Sequence, residues 1–375
     1  MKLYERKEGC CGCGACADIC PVGAVRMVPD GEDFRYPKID QKKCVNCGRC
    51  VQVCPMKKTS ERIGENRYFG VQAKDSWIRY ASSSGGIFPV LAEHVFWRQG
   101  IVYGAAYDDE MRVVHREARD MEELDALKRT KYVQSSMDGI YRGLEGQLKE
   151  GRWVLFCGTP CQVHALKLYL NRPYPNLILA DLICYGVPSP GIWNSYVSYL
   201  ERKRGGKMTG FSFRDKRKKD NGHVRVYTID GAEHVDDLNE DIYCQMYFMN
   251  YTLRPSCHEC GYCTTERESD FTIGDFWGIE KVRPEVDDGM GTSVVILHTK
   301  KAEEIWREME AEVSWFACKR DEILQPRLMN PTSRAKGRGI FMALYKFLPF
   351  SVFLRLFHVY LSCIRYMGRF RGVWK

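Results

Sequence analysis

Two copies of one cysteine pattern lie in the first 55 residues and constrain the chain more than anything after them. Cys10, Cys13, Cys16 and Cys20, followed by Pro21, fit C-x2-C-x2-C-x3-C-P; Cys44, Cys47, Cys50 and Cys54, followed by Pro55, fit it again. Three cysteines in one tight loop reach three irons of a four-iron cube, and Gly12, Gly14 and Gly48 let the backbone turn close to the sulfides. The fourth cysteine of each run lies too far along the chain to close its own cube and ligates the other one. Cys10, Cys13, Cys16 and Cys54 are therefore expected to hold one 4Fe–4S cluster, and Cys44, Cys47, Cys50 and Cys20 the second. Cys11 is surplus to both sets. Zinc also binds C-x2-C pairs, but two complete copies, each with its proline, favour iron–sulfur clusters.

This doubled run is the signature of a bacterial-type two-cluster ferredoxin module, expected over residues 1–64. The rest of the 375-residue chain is long enough for a sizeable core, and 45% hydrophobic with 28% charged residues excludes a disordered protein. Eighteen cysteines, half of them before residue 55, do not make a small disulfide scaffold. The polar start, Met1 to Glu8, lacks the pattern of a signal peptide, so the expected setting is cytoplasmic, with thiolates free for metal or redox chemistry.

The formal charge of +8 is concentrated at one end. Arg338, Lys346, Arg355, Arg365, Arg369, Arg371 and Lys375 are unopposed by any acid from residue 337 onward, so the remainder is almost neutral and no nucleic-acid partner is expected. From Pro349, Ser351, Arg355, His358, Ser362, Arg365 and Arg369 recur at steps of three and four on an otherwise apolar stretch. That pattern suits a helix lying at the inner face of a membrane through residues 350–370, or one docked on the body or on a partner.

Between the module and this tail, strands alternate with helices. A charged linker (Lys57 to Arg67) precedes a Ser82-Ser83-Ser84-Gly85-Gly86 turn that leads into a helix ending near Gln99. Strands are expected at Ile101–Tyr107, Trp153–Cys157 and Leu177–Ile183, and helices at Gln162–Leu170 and Gly191–Lys203, which together make an α/β core. Neither G-x-G-x-x-G nor a P-loop is present. Two further strands, Gly210–Arg214 and His223–Ile229, flank the basic run Lys216 to Lys219, either a solvated loop or a greeting for an anion. Cys257, Cys260 and Cys263 repeat the cluster spacing without a following C-P, so a fourth ligand must come from elsewhere. Cys161 and Cys184, each at the end of an expected strand, are candidates, although any one of these thiols can equally be a buried bystander. A thiolate–imidazole site built from Cys157, Cys161 and His164 is the weaker reading, and no catalytic residue is assigned.

Six segments in this order resemble the coenzyme F420 hydrogenase/dehydrogenase beta-subunit family. They are Ser83 to Phe88, Lys131 to Ser135, Val154 to Gln162, Asp181 to Pro188, Phe213 to Lys216, and Cys257 to Cys260 with Asp270 to Gly278. The resemblance implies an α+β and α/β architecture: the ferredoxin module, a mixed α/β FAD-binding catalytic domain over residues 65–320, and a basic amphipathic C-terminal tail over 321–375. It implies FAD contacts from Ser83, Ser84, Gly85, Gly86, Lys131, Tyr132, Gln134, Ser135, Gly158 and Thr159. It also implies a third 4Fe–4S cluster on Cys161, Cys184, Cys257 and Cys260, and Cys263 departs from the family's pattern. Family members pass electrons between clusters and a substrate by way of the flavin. The substrate is a deazaflavin in archaeal enzymes and a pigment in chlorophyll-metabolising relatives, and bacterial relatives accompany cell-surface polysaccharide synthesis. The expected activity is thus that of an iron–sulfur flavoprotein oxidoreductase with an unidentified small-molecule acceptor, fed by a redox partner protein or low-potential donor. The alternative is a non-enzymatic subunit that hands electrons to another protein.

Overall fold

The computed structural model describes residues 3–58, 65–217, 224–237 and 240–366. Lys218, Lys219 and His223 lie outside these residues, as do Arg369, Arg371, Lys375 and the side chain of Arg365. Strands β1 (Val25–Pro29) and β2 (Arg35–Ile39) form the antiparallel hairpin of the N-terminal module. The main sheet takes β3 (Arg67–Ala73), β4 (Ile101–Tyr107), β5 (Val113–Ala118), β6 (Val154–Gly158) and β7 (Leu177–Leu182). A small antiparallel sheet of β8 (Met208–Asp215), β9 (Val224–Ile229) and β10 (Ala232–Asp237) comes next, and β11 (Phe271–Asp275), β12 (Ser293–Leu297) and β13 (Val313–Cys318) then complete the main sheet. Its order is β13-β3-β12-β11-β7-β6-β4-β5, with β11, β7, β6 and β4 parallel and the outer pairs antiparallel.

The parallel centre follows from its residues. Val154-Leu155-Phe156 and Leu177-Ile178-Leu179-Ala180 are unbroken apolar runs, the pattern of strands covered on both faces. Leu155 pairs with Ile178, and both face a core under helices α1 (Ile87–Phe96) and α5 (Lys300–Met309). Phe156 pairs with Leu179, and these face the opposite core under α2 (Ile140–Lys149) and α3 (Pro160–Leu170). That second core also contains Cys11, Cys13, Ala15 and Val53, so the cysteine module is seated on the sheet's α2–α3 side. The mixed α/β fold and the ferredoxin module are as expected from the sequence.

A third core gathers the small sheet, α4 (Pro190–Arg204), α6 (Arg338–Phe347) and α7 (Phe350–Tyr366) around the fully buried Trp193, whose ring lies 4.9 Å from Phe211 and 5.3 Å from Tyr243. Here the structure bears on two readings that the sequence left open. The C-terminal helix is docked: Phe353, Leu354, Phe357 and Leu361 are buried, and the Tyr360 hydroxyl meets that of Tyr251 at 2.8 Å. Its apolar arc is wider than one contact face, so Val352, Leu356 and Val359 remain exposed beside Arg355 and His358. The basic run is not a solvated loop at its start, because Lys216 is buried and donates to the carbonyls of Arg79 and Ser84 at 2.7 and 2.6 Å. Burial, with Arg214 and Arg79 nearby, brings the Lys216 ammonium down to about 7.

The ends of the chain meet. Buried Arg338, at the start of α6, donates to both carboxylate oxygens of Glu32 at 3.2 and 2.6 Å and to the Leu253 carbonyl at 2.7 Å. Tyr345 donates to Asp33 at 2.9 Å. Losing one partner of a buried pair costs about 3–5 kcal/mol, so Arg338→Met is expected to lower the unfolding midpoint by several degrees, read by far-UV circular dichroism.

Candidate functional site

Four cavities stand in a row, each sharing wall residues with the next. The outermost, about 350 Å3, is lined by Cys20, Cys44, Cys47 and Cys50. The second, about 380 Å3, is lined by Cys10, Cys13, Cys16 and Cys54, with Cys50 in the shared wall. Each fourth cysteine thus reaches the other run's cavity, the crossing that the spacing requires. Gly14 (φ 80°) and Gly48 (φ 75°) start the short helices that carry Cys16 and Cys50, a left-handed turn that other residues resist. Burial and the neighbouring Cys10, Cys54 and Cys50 raise the Cys16 thiol, whereas Cys20 is lowered because backbone N–H groups such as that of Ala24, 3.2 Å away, outweigh its desolvation.

The third cavity, about 710 Å3, is lined by Cys161, Cys184, Cys257 and Cys260, with Cys11 and Cys263. Cys161 sits at the start of α3 just beyond β6, and Cys184 two residues beyond β7, so adjacent parallel strands deliver both from their carboxyl ends. Cys257 and Cys260 come from the turn after Arg254. Each of these four thiols interacts electrostatically with the other three, whereas Cys263 meets Cys260 by a hydrogen bond and Cys184 by charge. Burial raises Cys184 and pushes Cys257 to about 12, so the thiolate form there would need a bound cation beside it. Cys11, surplus by spacing, has its thiol between those of Cys13 and Cys161 and lines both the second and third cavities.

The fourth cavity is the largest, about 1510 Å3, and shares Thr159, Gln162 and Cys184 with the third. Ser83, Ser84, Gly86, Lys131, Tyr132, Ser135, Gly158 and Thr159 all line it. Two residues expected with them do not. Gly85 lies where two chain segments cross: its N–H donates to Ser293 Oγ at 2.9 Å, and a Cβ there would meet the Val71 carbonyl oxygen at 2.2 Å. Gln134, between the cavity-facing Val133 and Ser135, points the other way. Its amide donates to the Cys11 carbonyl and accepts from Arg254, both at 2.9 Å, which places it at the wall of the third cavity.

The wall between the third and fourth cavities is ordered by a short network. Thr159 caps α3, its N–H donating to Gln162 Oε1 at 2.9 Å, its hydroxyl oxygen 3.2 Å from Cys161 Sγ. Gln162 in turn donates to Ser135 Oγ at 3.0 Å. Lys131 donates to the carbonyls of Ala126 and Lys128, and burial, reinforced by Arg129, brings it down to about 7. Arg214, from the Phe213 to Lys216 segment, also lines this cavity, as do Arg129 and His115, which no sequence motif had singled out. His115 stacks on Phe156, its Nε2 3.1 Å from the Cys157 carbonyl oxygen, and its buried Nδ1 has no hydrogen-bond partner. Burial lowers it to about 4, so the ring is neutral at pH 7. Cys157 is separate from the third cavity, and His164 is held by Tyr262 at 2.7 Å, so the two do not form a nucleophilic pair with Cys161.

Comparison with known proteins agrees with this arrangement. Residues 9–58 match a 4Fe–4S dicluster domain, and residues 151–317 match the C terminus of the coenzyme F420 hydrogenase/dehydrogenase beta subunit. One component of the F(420)H(2) dehydrogenase of Methanosarcina mazei is 24% identical over 304 residues, covering 74% of this chain and 80% of that protein. A chain of the F420-reducing [NiFe] hydrogenase complex from Methanosarcina barkeri superposes with a TM-score of 0.43 at 19% identity, covering 68% of this chain and 83% of that one. The chain thus carries an N-terminal 4Fe–4S dicluster domain followed by a region that matches the C terminus of the coenzyme F420 hydrogenase/dehydrogenase beta subunit, in the order that the cavities follow.

Proposed function

We propose that this chain is an iron–sulfur flavoprotein oxidoreductase, with three 4Fe–4S clusters leading to FAD in the largest cavity and an acceptor bound beside it. The observation that carries this reading is the unbroken series of shared walls: Cys50 between the first two cavities, Cys11 and Met56 between the second and third, Thr159 and Cys184 between the third and fourth. FAD, when bound, exchanges single electrons on one side and a hydride on the other. The chain's own groups suit that ligand. Helix α1 begins at Gly86 without a side-chain cap, so its first N–H groups, with Arg129 and Lys131, favour a pyrophosphate. Phe88, Leu127, Val133 and Leu182 give the apolar walls that hold planar rings and exclude water. His115 Nδ1 is a buried acceptor that finds no partner among the described residues, as expected of a group that meets a ligand N–H or O–H. An acceptor, with a deazaflavin among the candidates, would enter the same cavity beside the flavin.

Flavin content tests this reading against the carrier alternative. The anaerobically purified chain is expected to bind one FAD, and Lys131→Ala to weaken that binding about tenfold or more, the effect of losing one charge-assisted hydrogen bond. A chain that neither retains nor takes up flavin is a carrier delivering electrons to a partner protein. Iron analysis tests the clusters. About 12 Fe per chain is expected, falling to about 8 in Cys184→Ala, with Cys263→Ala unchanged. Loss of iron in Cys263→Ala would reassign the fourth ligand.

We also propose that α6 and α7 rest on the anionic inner face of a membrane. Ile340, Leu344 and Phe347 on α6, at steps of four and three, are exposed, as are Val352, Leu356 and Val359 on α7, with Lys346 and Arg355 among them. No acid occurs from residue 337 to the end, a charge balance that complements acidic lipid. No helix among the described residues is long and apolar enough to cross a membrane. Removing the tail would strip the core around Phe353 and Phe357, so substitution is the cleaner probe. Phe347→Glu with Leu356→Glu is expected to abolish sedimentation with phosphatidylserine vesicles, and equal sedimentation of the variant and the native chain would refute the contact.

A further inference from the structure

We infer that Arg254 is a positioning residue that raises the reduction potential of the cluster held by Cys10, favouring its reduced form. The residue is completely buried, and among the described residues no carboxylate pairs with it. Its donors converge on the module. Nε donates to the Cys10 carbonyl at 2.8 Å, Nη1 to Gln134 at 2.9 Å, and Nη2 to the Arg35 carbonyl at 3.0 Å and to Cys10 Sγ at 3.6 Å. The guanidinium plane lies 4.3 Å from the Tyr36 ring and 5.3 Å from that of Phe34.

A buried cation without an anion is costly, and aromatic faces with neutral carbonyls offset only part of that cost. Among the described residues the strongest counter-charge is on Cys10, ahead of Cys11 and Cys257, because a four-iron cube bound by four thiolates is anionic in both of its working states. Reduction adds one electron and one more negative charge to the cube. A fixed positive charge and an N–H···S contact therefore stabilise the reduced state more than the oxidised one, which raises the potential. The outer cluster, held by Cys20, Cys44, Cys47 and Cys50, has a different surrounding, with the exposed Arg49 in its cavity wall and the Ala24 N–H 3.2 Å from Cys20 Sγ, whereas the buried guanidinium of Arg254 meets Cys10.

The packing shows how closely the group is held. Gly12 has φ +71°, and a Cβ there would lie 2.6 Å from Arg254 Nη1 and 2.7 Å from its Cζ. The cysteine loop is pressed onto the guanidinium, and any other residue at position 12 would push it away.

The test is an anaerobic redox titration of the full chain, loaded with clusters and followed by electron paramagnetic resonance. Arg254→Gln is expected to move the midpoint potential of the Cys10 cluster furthest to a more negative value, that of the cluster at Cys257 less, and to leave the outer cluster in place. Arg254→Lys, which keeps the charge, is expected to restore most of the shift. Unchanged potentials at full iron content overturn the inference, and so does an equal shift of every cluster, which would indicate general loosening. Should Arg254→Gln fail to assemble, the native chain labelled with 15N-arginine decides: pulsed resonance on the reduced protein is expected to show coupling to a guanidinium nitrogen, and its absence refutes the contact. The inference rests on Cys10 being a ligand, and undiminished iron in Cys10→Ala would remove that footing separately.

Discussion

Three consecutive claims on one short loop hold the molecule in working order. The carbonyls of Cys10, Cys11 and Cys13 each accept a hydrogen bond from a different part of the body: from Arg254, Gln134 and Tyr141, at 2.8, 2.9 and 2.9 Å. All three bonds are buried or nearly so, and the one from a charged donor is the strongest, about 1.5–3 kcal/mol against about 1 for the neutral pair. The rim contacts contribute little by comparison. Arg6–Glu259 and Arg35–Asp138 join the same two regions, but both partners in each are well exposed, where solvent and salt screen them. Seating is therefore decided by a buried loop and not by the surface charges around it.

That seating gives the cavities their order. Electrons pass between sites only over short distances, so a module that could swing away would interrupt the path. Here the second and third cavities share Cys11 and Met56, both on the module side, with Gln134 behind them. Cys11 illustrates the point well: it belongs to neither ligand set, yet its thiol occupies the partition between them. On the far side, Thr159 serves two purposes through one turn of chain, capping α3 and facing Cys161. A strand end, a helix start and a cavity wall coincide there, as open α/β sheets arrange them.

How much of this was legible depended on the range of the contacts involved. The grouping of Cys20 with Cys44, Cys47 and Cys50, and of Cys54 with Cys10, follows from spacing alone, because cube geometry acts over a few residues. The parallel strands were legible as apolar runs, whereas β3, β12 and β13 were not anticipated, since their pairing joins segments more than two hundred residues apart. Arg254 gave no signal: its partners lie at positions 10, 35 and 134, and no local pattern marks a residue whose role is set by such distant neighbours. Lys216 misled for a related reason. Within a run of four cations it reads as solvated, and only the fold brings the carbonyls of Arg79 and Ser84 to it. Gln134 sat in a segment whose neighbours all face the large cavity, and its bonds to Cys11 and Arg254, distant in sequence, turned it the other way.

The clasp between the chain's two ends has a consequence for how the protein is made. The cysteines of the module leave the ribosome first, but the residues that brace them are spread along the whole sequence. Tyr141 and Gln134 come after more than a third of the chain, Arg254 after two thirds, and Arg338, which grips Glu32, near the close. Through most of synthesis, then, the eight thiols and the walls of their two cavities, all within residues 3–56, are already present while the side chains that brace them are not. The earliest-made part of this molecule is the last to be fastened to the rest of it.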